Sequence, residues 1–296
     1  SYCPILYSRV AEVKALANLP NAAKDLIFPL INARPWPNAK ELNRTWEKVG
    51  EALGNRRLGL DLDPLKRNAS SVQPASGQFN ALFSSQNGFA AYYGAVANIP
   101  WAVPVFQIEN GQISEVEVQK NHILNIDRGS ILWLRFGLIS DPFSIVQSVA
   151  DFLSDNVLVV IDAGWSPDIL ERELWISEII GMLSDIHPEI EIVVASSSFP
   201  KGFADLGTRG EVPIKERALY DALVRRHNVA NLIYGDWGST RKPTSEAIPV
   251  TNVPRIDIPD TSRWTCVRAQ RISVGNYQSY QEVAARALQD GDWPAD

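Results

Sequence analysis

The sequence of 296 residues lacks the short motifs of several large enzyme classes. It contains no G-x-x-x-x-G-K-[ST], no G-x-G-x-x-G, no H-E-x-x-H and no C-x-x-C, which argues against phosphate loops, dinucleotide sites, zinc peptidases and redox pairs. A G-x-S-x-G elbow is also missing, and none of the three histidines falls at the end of a predicted strand. A nucleophilic serine and a histidine metal site are therefore disfavoured.

Cysteine and concentrated positive charge are scarce as well. Cys3 and Cys266 lie far apart without metal-ligand spacing, so we predict two free thiols rather than a disulfide. The formal net charge is −6 and no run of lysine and arginine exceeds two residues, so the electrostatic footprint of a duplex nucleic-acid partner is missing. No segment has the length of a transmembrane span or the pattern of a signal peptide, so we expect a cytoplasmic protein without a membrane partner.

What the sequence does contain is a repeated strand pattern, clearest around Asp162. Five consecutive apolar residues, 157–161, precede Asp162 and Gly164, which predicts a strand buried on both faces with an acid at its carboxyl end. The same order of apolar run, polar residues, turn and helix recurs at residues 4–9, 27–34, 58–63, 102–109, 131–135, 190–198 and 231–236. Eight such units close a parallel barrel, so the predicted fold is α/β, a single (β/α)8 TIM-like barrel domain over residues 1–296.

The segments between and after these strands have patterns of their own. Helices are predicted from Asn38 to Leu53, over residues 79–97 and over residues 280–289, and residues 68–76 are predicted to form a long surface loop. Beyond the eighth strand, residues 254–258 and 264–268 alternate between apolar and polar side chains around a turn-prone segment. This alternation predicts a C-terminal β-ribbon near residues 254–268, added to the barrel.

Short motifs spread along the chain resemble those of a known family. They are Tyr2-x-Pro4-Ile5-Leu6 with Glu12, Ser198-Phe199-Pro200, and Tyr234-Gly235-Asp236-Trp237 with Lys242-Pro243. In order and spacing they resemble the phage-type beta protein family, a set of mostly uncharacterised phage and bacterial proteins, over nearly the whole chain. The resemblance implies a barrel and points to a role in phage and host conflict, and it implies no reaction.

The chain also departs from the family pattern at two basic positions. Tyr7 stands where the family tends to have lysine, and Ile214 stands where Pro-Arg-x-Glu is frequent. A family chemistry that depends on either basic residue would be lost in this member. The family chain usually continues with another aromatic, glycine-containing segment, so we expect this sequence to be short at its C-terminus.

Polar side chains follow several of the predicted strands, at the end where a parallel barrel binds its ligand. We predict Asp61, Asp162 and Asp236 as catalytic groups or as ligands of Mg²⁺ or Mn²⁺, because such acids can hold a cation that activates water. The predicted ligand-binding residues are Arg34, Glu109, Arg135, Ser198 and Trp237. An open structural alternative is that the acids and arginines form interior ion pairs, since a charge removed from water must be paired.

Two functions from different classes remain open. The first is a metal-assisted hydrolase of phosphoester or glycosidic bonds that acts on a small polar or anionic ligand in the barrel mouth, and it requires carboxylates that approach each other. The second is a non-catalytic barrel whose rim loops, residues 34–38, 68–76 and 254–268, contact a protein or a nucleic-acid end. The rim acids favour the hydrolase, whereas the missing rim histidine favours the binding protein.

Overall fold

A computed structural model describes residues 2–67, 73–154, 156–227, 231–239 and 253–291 of the chain. Eight parallel strands of these residues form one sheet: β1 (Tyr2–Tyr7), β2 (Leu30–Ala33), β3 (Leu58–Leu62), β4 (Ala102–Pro104), β5 (Ser130–Arg135), β6 (Val157–Trp165), β7 (Glu191–Ser197) and β9 (Leu232–Asp236). Their order is β4-β3-β2-β1-β9-β7-β6-β5. Just past β4, Val105 bridges Ile131 in β5, so the two edges meet and the barrel is nearly closed. The predicted α/β class and eight parallel strands are confirmed.

Helices cover the outside of the barrel. The α-helices are α1 (Val10–Asn18), α2 (Asn21–Lys24), α3 (Asn43–Leu53), α4 (Pro74–Ala81), α5 (Gln86–Ala97), α6 (Val116–Ile126), α7 (Pro142–Ser148), α8 (Glu173–Ile186), α9 (Lys215–His227) and α10 (Tyr280–Gln289). Shorter 3₁₀ turns cover Pro64–Lys66, Ala150–Phe152, Ile169–Arg172 and Ala204–Leu206. Among the helices of the described residues, none is long and apolar enough to cross a membrane.

Three sequence predictions about helices and loops need correction. The helix predicted from Asn38 begins only at Asn43, because Asn38 has a left-handed backbone with φ of 59°. The single helix predicted over residues 79–97 is two helices, α4 and α5, separated by residues 82–85, where the Ser84 hydroxyl accepts a hydrogen bond from the Gln86 N–H. Of the predicted loop 68–76, residues 74–76 belong to α4, and residues 68–72 lie outside the described residues.

The barrel strands bury both faces, which is why most read as continuous apolar runs. One face packs against the helices and forms the larger core. The other face fills the barrel interior with residues such as Ile5, Leu30, Ile131 and Val160. Gly59 belongs to this inner face, and a Cβ there would overlap the Ile131 side chain, so the interior has no room for a larger residue.

A second, antiparallel sheet lies beside the barrel. The predicted ribbon is confirmed as β10 (Arg255–Pro259) paired with β11 (Arg263–Arg268), and β8 (Arg209–Pro213) adds a third strand in the order β10-β11-β8. A further short pair joins β12 (Arg271–Ser273) to β13 (Asn276–Tyr277). Helix α10 has the predicted bounds and starts with a capping box at Ser279. Both cysteines are buried and free, as predicted.

Candidate functional site

Each barrel strand ends at the same rim, and alternation decides which of its last side chains point into the barrel. Tyr7 and Trp237 belong to the inner core. Asp61, Arg135 and Asp162 each follow an inner residue by two positions, so they share its face. The carboxyl end of the barrel interior is therefore polar and aromatic, while the layers below it are apolar.

Asp61 and Arg135 form the centre of this inner site. An Arg135 Nη2 donates to Asp61 Oδ2, and the side chains of Arg135 and Asp61 are only 16% and 8% exposed. Gln107 Nε2 donates to the other Asp61 oxygen at 3.0 Å, and Arg135 also donates to Asn32 Oδ1 at 3.4 Å. The guanidinium stacks 3.6 Å from the centre of the Trp133 ring. Side chains near the ends of β2, β3, β4 and β5 thus hold one buried ion pair in a fixed position.

Asp162 lies beside Arg135 in the register of β5 and β6, and it is fully buried. Its Oδ1 accepts hydrogen bonds from the Gly164 backbone N–H at 2.8 Å and from Trp237 Nε1 at 3.2 Å. Gly164 has φ of +67°, a backbone conformation that suits glycine and lets the chain turn back onto the carboxylate. Asp162 is consequently oriented by two donors on one oxygen.

Apart from the atoms of an ion pair between Arg34 and Asp63, three buried polar atoms at this end of the interior have no hydrogen-bond partner among the described residues. They are Asp162 Oδ2, Asn32 Nδ2 and Trp133 Nε1. A buried donor or acceptor without a partner costs about 1–3 kcal/mol, so native proteins leave few of them. One acceptor and two donors therefore remain available to a bound molecule.

A second ion pair lies next to the first on the inner face. Arg34 Nε is 2.7 Å from Asp63 Oδ2, although the two atoms do not meet hydrogen-bond geometry. The Arg34 guanidinium lies 4.0 Å from the centre of the Tyr7 ring, and the Arg9 guanidinium lies 4.5 Å from it. Burial lowers the pKa of Arg34, which nearby Asp63 opposes, and burial raises the pKa of Tyr7. Tyr7, where the family tends to have lysine, is thus packed between cations.

A cavity of about 310 Å³ opens beside the Asp61–Arg135 pair. Its polar end includes Asp61, Gln107, Trp133 and Arg135, and its apolar lining includes Phe83, Phe89 and Ile139. Glu109, a predicted ligand-binding residue, lines this cavity and pairs with Arg67 at 2.8 Å. The volume lies at the lower end of the range that small-molecule pockets occupy.

Asp236 and Ser198, two further predicted site residues, lie on the outer face of the barrel wall. Asp236 Oδ1 accepts hydrogen bonds from Tyr2 Oη at 2.6 Å and from Gly238 N at 2.8 Å. The Ser198 hydroxyl donates to Glu216 at the start of α9. The structure therefore brings Asp61, Asp162, Arg135, Arg34 and Trp237 together inside the barrel, and it does not bring Asp236 or Ser198 to them.

Glu216, Ser198 and Asp236 form a polar cluster on the outer face, the outer cluster. Glu216 is buried, it also accepts from the Ser198 N–H at 3.2 Å, and its Oε1 has no partner among the described residues. Burial raises the pKa of Glu216; the hydrogen bonds from Ser198 oppose that rise, and the charge of Asp236 adds to it. Sequence reasoning noted Glu216 as a motif position without assigning it to a site.

Three polar residues of the inner face were not among the predicted site residues: Asn32, Gln107 and Trp133. Asn32 and Gln107 stand at strand ends, and a stricter use of the two-residue period would have placed them inside with Asp61. Trp133 lies within an apolar strand and carries no sequence signal for a binding role.

The arrangement does not form a site of three metal ligands. Within the described parts of the chain, no group of three His, Cys, Asp or Glu side chains is placed to hold a metal ion. Asp61, Asp162 and Asp236 each bind different protein groups, so they do not share one cation. A hydrated cation held by one or two carboxylates is the remaining form of the predicted Mg²⁺ or Mn²⁺ site.

Comparison with known proteins gives two matches. A family model described as Beta protein matches residues 2–296. The chain is 29% identical over 274 residues to "Protein beta" of Enterobacteria phage P4, across 89% of this chain and 74% of that protein. Neither description names a ligand or a reaction. The resemblance that the sequence motifs indicated is confirmed.

Proposed function

The chain belongs to the Beta protein family, and we propose that it binds a small polar ligand inside the carboxyl-end mouth of its barrel. The observation that carries this proposal is the set of unpartnered buried atoms, Asn32 Nδ2, Trp133 Nε1 and Asp162 Oδ2. Trp133 lines the cavity, Asn32 binds Arg135 at its edge, and Asp162 is the register neighbour of Arg135. Parallel barrels of the TIM type bind their ligands at the carboxyl ends of the strands, which is where these atoms lie.

The chemistry of the three atoms suggests the class of ligand. Two N–H donors require acceptors, and one carboxylate oxygen requires a donor, which a molecule with several hydroxyl groups supplies at once. The rings of Tyr7, Trp133 and Trp237 lie close together, with centroids 5.5 Å and 6.2 Å apart between neighbours, and the cavity adds the apolar side chains of Phe83 and Phe89. A sugar or the ribose of a nucleoside combines these properties.

We further propose that the protein hydrolyses a glycosidic bond of this ligand. Such hydrolysis requires two carboxyl groups beside the bond, and Asp61 and Asp162 are the two inner acids nearest Arg135. Asp162 would accept a proton from the attacking water through Oδ2, while its other oxygen stays fixed by Gly164 and Trp237. The water oxygen bonds to the sugar carbon as the glycosidic bond breaks, and the leaving oxygen takes a proton from the solvent of the cavity. Arg34 and Arg135 already pair with aspartates, which favours a glycosidic over a phosphoester bond.

Thermal unfolding with a ligand panel tests the proposal. The panel contains sugars, nucleosides, Mg²⁺ and Mn²⁺, and the variants are Asp162→Asn and the outer-face control Asp236→Asn. A ligand at about 100 times its Kd raises the free energy of unfolding by about 2.7 kcal/mol. We therefore expect one class of ligand to raise the midpoint of thermal unfolding by several degrees. The rise should disappear in Asp162→Asn and persist in Asp236→Asn. A rise that Asp162→Asn retains in full, or no rise in the wild type, would contradict the proposal.

A second candidate function, docking of a protein on the rim, is favoured by exposed apolar side chains that follow β3, β5 and β6. They are Leu65, Phe136, Leu138, Phe143, Leu170 and Leu174. The same variants separate the two functions, because docking on the rim would be insensitive to Asp162→Asn. Because the P4 relative is a phage protein, either the ligand or the partner should be sought in infected bacteria. A partner found there would fit a role in the conflict between phage and host.

A further inference from the structure

The arginines around the mouth differ in how their charge is balanced. Four have a carboxylate partner within ion-pair distance: Arg9 with Glu12, Arg34 with Asp63, Arg67 with Glu109 and Arg135 with Asp61. Arg172, which ends the 3₁₀ turn after β6, has no such partner among the described residues. Of these five arginines, Arg172 is the one without a carboxylate within ion-pair distance among the described residues.

The contacts of Arg172 hold its guanidinium near Asp162. One Nη donates to the Trp165 carbonyl at 3.2 Å, and the guanidinium lies 4.1 Å from the centre of the Phe136 ring. The other Nη is 3.3 Å from the position that a Cβ would occupy on Gly164, the residue whose N–H binds Asp162. A single hydrogen bond and one ring contact use only part of the five N–H donors of a guanidinium.

The guanidinium of Arg172 is partly removed from water. Arg172 is half-buried, and burial lowers its pKa, which Asp162 and Glu171 oppose. A guanidinium that is held in place, half desolvated and without an ion-pair partner among the described residues suits an oxyanion, which it can bind through two parallel hydrogen bonds.

We propose that Arg172 binds a phosphate group of the ligand, at the point where the ligand leaves the mouth past Asp162. This inference rests on the proposed function and deepens it: the ligand is a sugar phosphate or a nucleotide, with its sugar inside the barrel and its phosphate on the rim. A phosphate carries about two negative charges and a carboxylate one, so the guanidinium attracts the phosphate more strongly. Hydrolysis of a glycosidic bond leaves this phosphate intact.

Inorganic phosphate is the first probe, measured by calorimetric titration against chloride at equal ionic strength. We expect the wild type to bind it and Arg172→Met to bind at least about tenfold more weakly, the loss typical of a hydrogen bond to a charged group. Arg44→Met is the matched control, because Arg44 is an exposed arginine paired with Glu47 on α3. Asp162→Asn should bind phosphate more tightly than the wild type, because a negative charge near the guanidinium is removed. Equal binding by wild type and Arg172→Met, or no binding by the wild type, would overturn the inference.

A pair of ligands that differ only in phosphate separates this inference from the proposed function. If a sugar and its phosphate both stabilise the wild type, Arg172→Met should keep the effect of the sugar and lose the additional effect of the phosphate. Loss of both effects would assign Arg172 to the packing of the mouth and refute the phosphate role. Failure of the uncharged sugar alone, with phosphate binding retained, would refute the proposed sugar site and leave the phosphate site standing. Arg172→Lys, which retains the charge, should recover part of the phosphate effect.

Discussion

Asp236 and Trp237 are neighbours in the sequence and lie on opposite faces of the barrel wall. Trp237 points inward and donates to Asp162, whereas Asp236 points outward and accepts from Tyr2. Asp162, at the corresponding end of β6, points inward. Two acids at the same rim therefore have different surroundings, and a position at a strand end does not by itself place a residue in the site.

The two faces also differ in how completely their polar groups are used. On the outer face, Asp236 Oδ1 accepts one tyrosine hydroxyl and one backbone N–H, and Ser198 binds Glu216, whose Oε1 lacks a partner among the described residues. On the inner face, two ion pairs stand beside three unpartnered atoms and a cavity. The inner face can therefore accept a ligand, whereas the outer cluster connects α9 to the barrel through the hydrogen bonds between Ser198 and Glu216.

The largest expected effect is on the inner ion pair. Asp61→Ala leaves the Arg135 guanidinium buried without its carboxylate and removes the acceptor of Gln107, so the free energy of unfolding should fall by about 3–5 kcal/mol. Asp61→Asn, which retains one acceptor oxygen, should cost less. Urea unfolding of both variants provides the measurement. If Asp61→Ala were as stable as the wild type, the inner face would not depend on this pair.

A smaller, pH-dependent effect on the free energy of unfolding is expected from Glu216 in the outer cluster. Burial raises the pKa of Glu216 above its ordinary value of 4.5, so the folded protein holds this proton more tightly than the unfolded chain. The resulting stabilisation is complete below pH 4.5 and is lost as the pH rises through the pKa of the folded state. Glu216→Gln cannot ionise, so its stability relative to the wild type should increase with pH. Unfolding by urea between about pH 4 and pH 8 tests this sign. A constant difference between the two proteins would show that Glu216 titrates normally.

The smallest effect is expected for Asp236→Asn. The amide oxygen can still accept from Tyr2 and Gly238, so the free energy of unfolding should change by less than about 1 kcal/mol. Ligand-dependent stabilisation should also be unchanged, because the residue faces away from the interior. Loss of that stabilisation in Asp236→Asn would mean that the two faces act as one site, and the comparison above would fail.

Much of the architecture follows from local pattern. Apolar, β-branched runs predicted all eight barrel strands, and alternation predicted the β10–β11 ribbon. The pairing of β8 with β11 was not predictable, because residues 209–213 alternate only briefly and their partner lies far along the chain. The break between α4 and α5 escaped notice because apolar residues continue on both sides of it.

The site was predicted in part, and the limit is physical. Sequence order identified the strand ends, and the two-residue period correctly kept Asp61 and Asp63 on one face. The same period places Trp237 inside and Asp236 outside once the inner residues of β9 are known, and those depend on how the barrel closes. Distances across the barrel, such as that between Arg135 and Asn32, arise from closure and register, which no local pattern encodes.

The third strand of the small sheet has a consequence for synthesis on the ribosome. Glu211 in β8 can pair with Arg263 in β11 only after a further 52 residues have been synthesised. At about 5–20 residues per second, this interval lasts roughly 3–10 s. During it, Phe199 and Phe203 lack Trp264, the ring that packs on Phe199 in the finished protein. The nascent chain thus exposes an aromatic surface of the kind that favours aggregation, even after most of the barrel strands have been synthesised.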